Sequence, residues 1–326
     1  MKLRVATRSS NLALVQTRWV ADRLRDRSPD LTIEEVHVVS EGDRIQDRPL
    51  AQVGGKGLFV SEVEAMVVQG KADFAVHSLK DVPGDVPLAA GMGILSVPVR
   101  EDPRDVLVTN DGADLGSLSR GARVGTTSRR RIVQLLRQRP DLVFTPMRGN
   151  IDTRLRKLRE GRCDAIVLAA AGLRRAGVLD QIAHEILSPE LCLPAIGQGA
   201  LAIEGAVDDE ALRSRLGGIE DRPSRVQITA ERAMLERLEG NCHSPIAGHA
   251  ALLDGRMKLD GLVSSYDGDQ LLTATSDTYL DPGAPDAVAR AHALGEEVAG
   301  QLVERGATKL IRAAELAAVR GQLTSN

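Results

Sequence analysis

The sequence predicts two similar α/β units, each a mainly parallel, doubly wound sheet, followed by a smaller α+β domain. One observation is an internal repeat. Arg4-Val5-Ala6-Thr7-Arg8-Ser9 and a helix-like run ending at Ser28-Pro29-Asp30-Leu31 are echoed by Arg123-Val124-Gly125-Thr126-Thr127-Ser128 and a shorter run ending at Arg139-Pro140-Asp141-Leu142. Later in each half, Gly70-Lys71-Ala72-Asp73-Phe74-Ala75-Val76 parallels Gly161-Arg162-Cys163-Asp164-Ala165-Ile166-Val167. A second observation is that strand-like and helix-like patterns alternate through both halves, as crossover-connected sheets require. The third is length: 326 residues exceed one ordinary core and call for two or three domains.

Taken in order, the first strand-like segment ends in a hydroxyl-rich turn, and Leu12, Val15, Trp19 and Leu24 then follow helical spacing. Ile33, Val36, Val38 and Val39 form a short apolar run bounded by polar residues, as a strand does. Ser61-Glu62-Val63-Glu64 reads as a capping box for a helix that stops near Gly70. Asp73 to His77 is a strand running into a loop that carries Lys80 and Asp81. In the second half, Arg129, Arg130 and Arg131 open one helix, and Arg148 and Arg154 flank the start of another. A strand from Ala200 to Ile203 and a helix from Pro223 to Leu238 follow. Strands near Ala247 to Leu253, Met257 to Val263 and Leu271 to Thr278, with a helix from Pro285 to Val303, make the α+β domain.

Charge narrows the ligand. Between Arg120 and Arg175, fourteen arginines and Lys157 face four carboxylates, inside a chain of net charge −3. Such a window reports on a polyanionic ligand. Only seven of the 42 basic residues are Lys, so a single Arg carries little weight, but several stand at helix starts, where backbone N–H groups already favour anions. Arginine also grips planar carboxylates with two parallel hydrogen bonds. The six aromatic residues are too few to build the base-stacking platforms of single-strand binders, which argues against nucleic acid. The chain shows no apolar stretch of signal-peptide or membrane-span length, so a cytoplasmic protein without membrane contact is expected.

Cys163, Cys192 and Cys242 lack the paired spacings of metal sites, and no metal is expected. Cys163 precedes an apolar strand and reads as a small core residue. Cys242, in the polar loop Gly240-Asn241-Cys242-His243-Ser244-Pro245, suits covalent attachment of a cofactor better than nucleophilic catalysis, because its sequence neighbour His243 seldom has general-base geometry. Asp81, at a strand's carboxyl end, is a candidate catalytic carboxylate, with a turn role before Val82-Pro83 as the competing reading. His77 reads as a satisfied core histidine. Val53-Gly54-Gly55-Lys56-Gly57-Leu58-Phe59 lacks full P-loop spacing and reads as a lid with Lys56 at its tip.

Together these segments resemble the porphobilinogen deaminase, or hydroxymethylbilane synthase, family. The resemblance covers essentially the whole chain. It is carried by Ala6 to Ser10, Val53 to Phe59, Ala75-Val76-His77-Ser78-Leu79-Lys80-Asp81-Val82-Pro83, Arg100-Glu101-Asp102-Pro103-Arg104-Asp105, Gly125 to Arg131, Arg148-Gly149-Asn150, Leu193 to Ala200 and the Cys242 loop. Gln52 stands where some members have Lys, and Asn241 where Gly is common.

The resemblance implies a transferase of heme and tetrapyrrole biosynthesis whose dipyrromethane cofactor is held by Cys242 through a thioether. Four porphobilinogen units would be joined head to tail, each losing ammonia through a methylene-pyrrolenine, before water releases linear hydroxymethylbilane. Asp81 matches the catalytic carboxylate. Arg8, Arg130, Arg131, Arg148, Arg154 and Arg175 match positions that bind acetate and propionate groups, assisted by Ser10, Lys80, Thr126, Thr127 and Ser128. Lys56, Ser78, Gly149, Gln16 and Gln198 complete the expected binding set. The implied fold is two domains like those of periplasmic receptors and a third bearing the cysteine: residues 1–96 with 197–217, residues 100–193, and residues 220–326. A monomer is implied. A non-catalytic two-domain carboxylate-binding protein is the alternative, and the joint presence of Asp81 and Cys242 argues against it.

Overall fold

A computed structural model describes residues 2–39, 60–240 and 244–320. Lys56, the glycine-rich loop around it and Cys242 therefore lie outside the described residues. The first sheet takes β1 (Lys2–Arg8), β2 (Thr32–Val38), β3 (Phe74–Ser78) and β4 (Met92–Ser96), with β10 (Leu201–Ala206) returning between β3 and β4. The second takes β5 (Asp105–Thr109), β6 (Arg123–Gly125), β7 (Val143–Thr145), β8 (Ala165–Ala169) and β9 (His184–Leu187). Their orders, β2-β1-β3-β10-β4 and β7-β6-β8-β5-β9, are the same topology twice. We call the bodies around them the first and second lobes.

Each sheet is mixed. β1 runs parallel to β2 and β3, and β6 to β7 and β8, whereas β10 and β5 run antiparallel to their neighbours. The reversed strand in each sheet is one that the chain lays down beside a passage between lobes.

The sequence repeat has a structural cause. Asp73, just before β3, accepts the backbone N–H of Arg4 at 2.6 Å and pairs with its guanidinium at 2.7 Å. Asp164, before β8, does the same for Arg123, at 2.7 and 2.9 Å. In both places the guanidinium also donates to a glycine carbonyl, Gly70 or Gly161. The repeated aspartate thus pins the start of the central parallel strand to its neighbour.

Helices cover the sheets as their apolar stripes demand. α1 (Asn11–Arg27) is capped by Ser10, whose hydroxyl accepts from Ala13 N, and buries Val20, Ala21 and Leu24 against β1 and β3. α2 (Ser61–Val68) buries Val63 and Val67 on the other face. Its cap residue is Val60, not Ser61, and no side-chain cap bond forms; Glu64 instead accepts the backbone N–H of Ala89 at 2.7 Å. The expected capping box is not made. The second lobe has α3 (Arg129–Gln138), α4 (Ile151–Arg159), capped by Asn150, and α5 (Ala170–Arg175).

After α6 (Glu210–Gly217), α7 (Arg222–Arg237) leads into the antiparallel sheet β11 (Ile246–Leu253), β12 (Arg256–Ser264), β13 (Leu271–Tyr279), backed by α8 (Ala287–Glu304) and α9 (Ala307–Arg320). Met234, Leu259, Val298 and Leu302 make its dry centre. Glu231 of α7, fully buried, ties this unit to both passages between lobes. It pairs with Arg100 at 2.7 Å and accepts from Gly197 N at 2.7 Å and Ala250 N at 2.8 Å. Arg100 also donates to the Gln198 carbonyl.

Candidate active site

The carboxyl ends of β1 and β3 and the start of α1 enclose a pocket lined by Arg8, Ser10, Gln16, His77, Ser78 and Asp81, closed on one side by Val60 and Val63. Local structure explains the placement. β3 ends at Ser78, and a single 3₁₀ turn, Leu79–Asp81, anchored by the buried Leu79, swings Asp81 to the rim. Gln16 is buried and donates to Ser78 Oγ at 3.1 Å, locking the end of β3 to α1. His77 faces away from the α1 side and contacts Glu204 Oε2 at 2.8 Å.

Lys80, beside Asp81, points toward the second lobe. Its ammonium donates to Gln198 Oε1 at 3.2 Å, while Gln198 Nε2 donates to the Pro103 carbonyl at 2.7 Å and to Asp105 at 2.9 Å. Gln198 is 1% exposed and reaches this position because the chain turns tightly through Gly197 and Gly199, both at positive φ. A β-carbon at either glycine would collide, with Leu79 at the first and with the Glu101 carbonyl at the second.

Asp105 is the centre of the second lobe's contribution. It is fully buried at the start of β5, accepts from Arg130 at 2.6 Å, and accepts from Arg131 at 2.7 and 3.0 Å. Burial alone would raise its pKa, but the Arg130 and Arg131 charges outweigh this and hold it well below the usual carboxylate range. Arg130 also donates to the Leu193 carbonyl and Arg131 to the Val167 carbonyl. Both guanidiniums, expected from the sequence to meet ligand, are thus buried and oriented by Asp105, which sequence reasoning assigned no role. The signals in the sequence are its place at the end of the Arg100 to Asp105 segment that carries the resemblance and at the opening of the apolar run Val106-Leu107-Val108.

The other expected residues gather around this core. Arg154 on α4 donates to the Gly149 carbonyl at 2.8 Å, and burial, with the Arg131 and Arg148 charges, brings its pKa down to about 10. Among the described residues no carboxylate pairs with it. Gly149 has φ +114, and a side chain there would strike Thr153. Arg175 ends α5. It donates to the Gly199 carbonyl at 2.9 Å and lies over the first-lobe Trp19 ring at 5.8 Å, while its Nε is buried without a hydrogen-bond partner. Burial lowers its pKa to about 10, with Glu101 opposing.

Ser128 caps α3 by position, but its side chain makes no cap bond. Thr126 is buried and accepts from Ser128 N at 3.2 Å, whereas Thr127 is exposed. Asn11 of α1 donates to Asp152 of α4 at 3.3 Å, so two helix starts from different lobes meet across the cleft. The charge of Arg131 helps to lower the pKa of both Lys80 and Arg154, which places these cations in one field. Such a cluster, with few carboxylates of its own, can hold a ligand bearing several.

A family model described as "Porphobilinogen deaminase, dipyromethane cofactor binding domain" matches residues 3–214, and "Porphobilinogen deaminase, C-terminal domain" matches residues 226–304. The chain belongs to the porphobilinogen deaminase family. Curated members include one from Sorangium cellulosum, 50% identical over 84% of this chain and 90% of the relative. Another, from Syntrophotalea carbinolica, is 45% identical over 96% of both chains. A third, from Brevibacillus brevis, is 47% identical over 94% of this chain and 95% of the relative. Among solved structures, the extracellular-binding protein of an amino-acid ABC transporter from Bacillus subtilis is similar at 11% identity, with a TM-score of 0.40 over 67% of this chain and 89% of that one. Membership makes the chain an enzyme of a family with a dipyrromethane cofactor domain, and the non-catalytic reading is not favoured. Among the described residues, no group of His, Cys, Asp or Glu could hold a metal, and no helix is long and apolar enough to cross a membrane.

Proposed function

We propose that the chain is a transferase that condenses four porphobilinogen molecules head to tail, with loss of ammonia from each, onto a dipyrromethane primer, and releases hydroxymethylbilane by hydrolysis. The observation that carries this reading is the convergence of Asp81 with a cationic field drawn from both lobes. Every pyrrole ring brings an acetate and a propionate, and the buried, partnerless Nε of Arg175 and the carboxylate-free Arg154 are the kind of donors such groups satisfy. The residues therefore fit the cofactor. Arg8, Ser10, Lys80, Arg148, Arg154 and Arg175 would hold its carboxylates, with Cys242 as its attachment point. The primer supplies a free pyrrole carbon to which the first unit is joined. In this reading the domains divide as the sequence suggests, at 1–96 with 197–217, 100–193 and 220–326, and the enzyme is a cytoplasmic monomer.

Asp81 acts on the substrate. As the aminomethyl C–N bond breaks and nitrogen leaves with the electron pair, positive charge spreads onto the pyrrole ring, and a fixed carboxylate beside the ring nitrogen offsets it. The same group can take up the proton shed when the new C–C bond restores aromaticity. Arg130 and Arg131 present a rigid cationic wall because Asp105 fixes them before ligand arrives, which lowers the ordering cost of binding.

Two outcomes test the reading directly. Purified protein incubated with porphobilinogen is expected to release ammonia and hydroxymethylbilane, and intact mass with peptide mapping is expected to place one dipyrromethane on Cys242. Cys242→Ser should carry no adduct and show no turnover; an adduct retained elsewhere would overturn the attachment. pH supplies a further check. Burial, aided by Arg131 and opposed by Asp81, lowers the Lys80 pKa to about 8, so its charge is present below that value and lost above it. KM for porphobilinogen is expected to rise as pH passes about 8, and Lys80→Arg to flatten that rise.

A further inference from the structure

The third domain reaches the helix that carries the arginine wall. β12 and β13 are joined by a turn, Ser265 to Gln270, that lies against the start of α3. The turn is held by its own bonds. Ser265 N donates to the Gln270 carbonyl at 2.8 Å, Gln270 N donates to Ser265 Oγ at 3.0 Å, and Asp267 accepts the Ser265 hydroxyl and the Asp269 N–H. A turn tied by its own side chains presents its other residues in one geometry.

Two of those residues meet α3. The Arg129 guanidinium lies over the face of the Tyr266 ring, 4.0 Å from its centre, and both residues are half-buried. Gly268, at φ +90, comes so close that a β-carbon there would stand 3.2 Å from a Val133 methyl. Arg129 and Val133 are four residues apart and form one stripe along the helix.

The adjoining stripe meets the third domain through Leu193. Gln134 accepts the Leu193 N–H at 2.7 Å, while Arg130 and Gln134 donate to the Leu193 carbonyl at 2.7 and 3.1 Å. The Leu193 side chain packs on Ala247, Leu262 and Leu271, one from each strand of the third sheet. These three are sequence neighbours of Ile246, Val263 and Leu272, which belong to the core under α8. Because neighbours on a strand point to opposite faces, one face of this sheet fills its own domain and the other packs on the second lobe.

We propose that the Tyr266 turn clamps α3, so that the third domain sets the position of the Arg130 and Arg131 wall, with Tyr266 as a positioning residue. Asp105 fixes the two guanidiniums within the second lobe; the clamp fixes the helix that bears them against the domain that continues from the Cys242 loop. Anchor and wall then keep one spacing. The carboxylates of an anchored chain meet cations already in register, which lowers the ordering cost of binding.

The consequence for binding rests on the proposed function; the clamp does not. The test follows amide hydrogen exchange of the holoenzyme in peptides from α3. Tyr266→Ala is expected to speed exchange there by about three- to tenfold, the worth of a half-buried cation–ring contact, while Tyr266→Phe keeps the ring and exchanges like the parent. Arg129→Met should match Tyr266→Ala, and the double variant should exchange no faster than either alone, because the two side chains make one contact. Unchanged exchange in Tyr266→Ala, or effects that add in the double variant, would overturn the clamp whatever the activity.

The kinetic arm separates KM from kcat. The wall binds carboxylates and does not touch the reacting atoms, so Tyr266→Ala is expected to raise KM for porphobilinogen about three- to tenfold with kcat within about twofold, and Tyr266→Phe to restore the parent KM. Faster exchange with an unchanged KM would overturn the positioning role. A parent holoenzyme that does not turn over porphobilinogen would instead sink the proposed function and leave the exchange result standing.

Discussion

Asp81→Ala is expected to lower ammonia release by about a hundred- to ten-thousandfold while leaving thermal unfolding nearly unchanged. The separation of effects follows from how the residue is held. The turn that carries Asp81 is fixed by the Val82 N to Leu79 O bond at 3.0 Å and by the buried Leu79, not by the Asp81 side chain, which makes no hydrogen bond or ion pair among the described residues. Truncating it removes no packing and leaves no orphaned partner. What it removes is a negative charge beside a developing positive one. Asp81→Asn keeps the shape and loses the charge, so it should resemble Ala; Asp81→Glu keeps the charge, misplaced, and should fall between. Single-turnover measurement of ammonia release checks the series. Turnover of Asp81→Ala within about tenfold of the parent would remove Asp81 from the chemistry.

Asp105→Ala should have the opposite signature, a large loss of stability with loss of activity as a consequence. Asp105 is the carboxylate that pairs with the buried Arg130 and Arg131. Without it, two guanidiniums repel each other in a dry site, and Gln198 loses an acceptor. Breaking a buried pair in this way typically costs about 3–5 kcal/mol. Denaturant unfolding should show that loss as a lowered midpoint, and the surviving folded protein should bind porphobilinogen poorly, because the cationic wall is no longer fixed. The sign with pH is set by Asp105's lowered pKa. Its stabilising contribution is full above the unfolded value, about 4, and fades as pH falls through the acid range, so parent and variant should converge in stability at low pH. Equal midpoints at neutral pH would show that the ion pair contributes nothing net.

Much of the fold is written locally and was therefore legible. The repeat around Asp73 and Asp164 marks the same strand-pinning device, and helix-period runs fall where α1, α3, α7 and α8 form. Strand direction was not legible. An apolar run such as Leu201 to Ile203 reads the same whether it lies parallel or antiparallel, and only the path of the chain reverses β5 and β10. α6 and α9 went unread; α9 turns Ala307, Leu310, Ile311 and Ala314 inward, a stripe half built from alanine and thus faint. At the site, arginines announced themselves by number, but the partner that fixes two of those on α3 stands 25 and 26 residues away, on strand β5. Ser61-x-x-Glu64 looked like a cap because nothing in four residues shows that Ala89 will come within reach of Glu64.

The late return of the chain to the first sheet also sets an order of synthesis. The second sheet draws on β5 to β9, a continuous stretch from Asp105 to Leu187. The first sheet waits for β10, at Leu201–Ala206, and β4 has no other neighbour in that sheet. A ribosome therefore finishes the second lobe before the first, reversing the usual rule that domains mature from the N-terminus. A nascent chain halted before Leu201 holds β1 to β3 with an open edge, and that edge is where chaperones would find it.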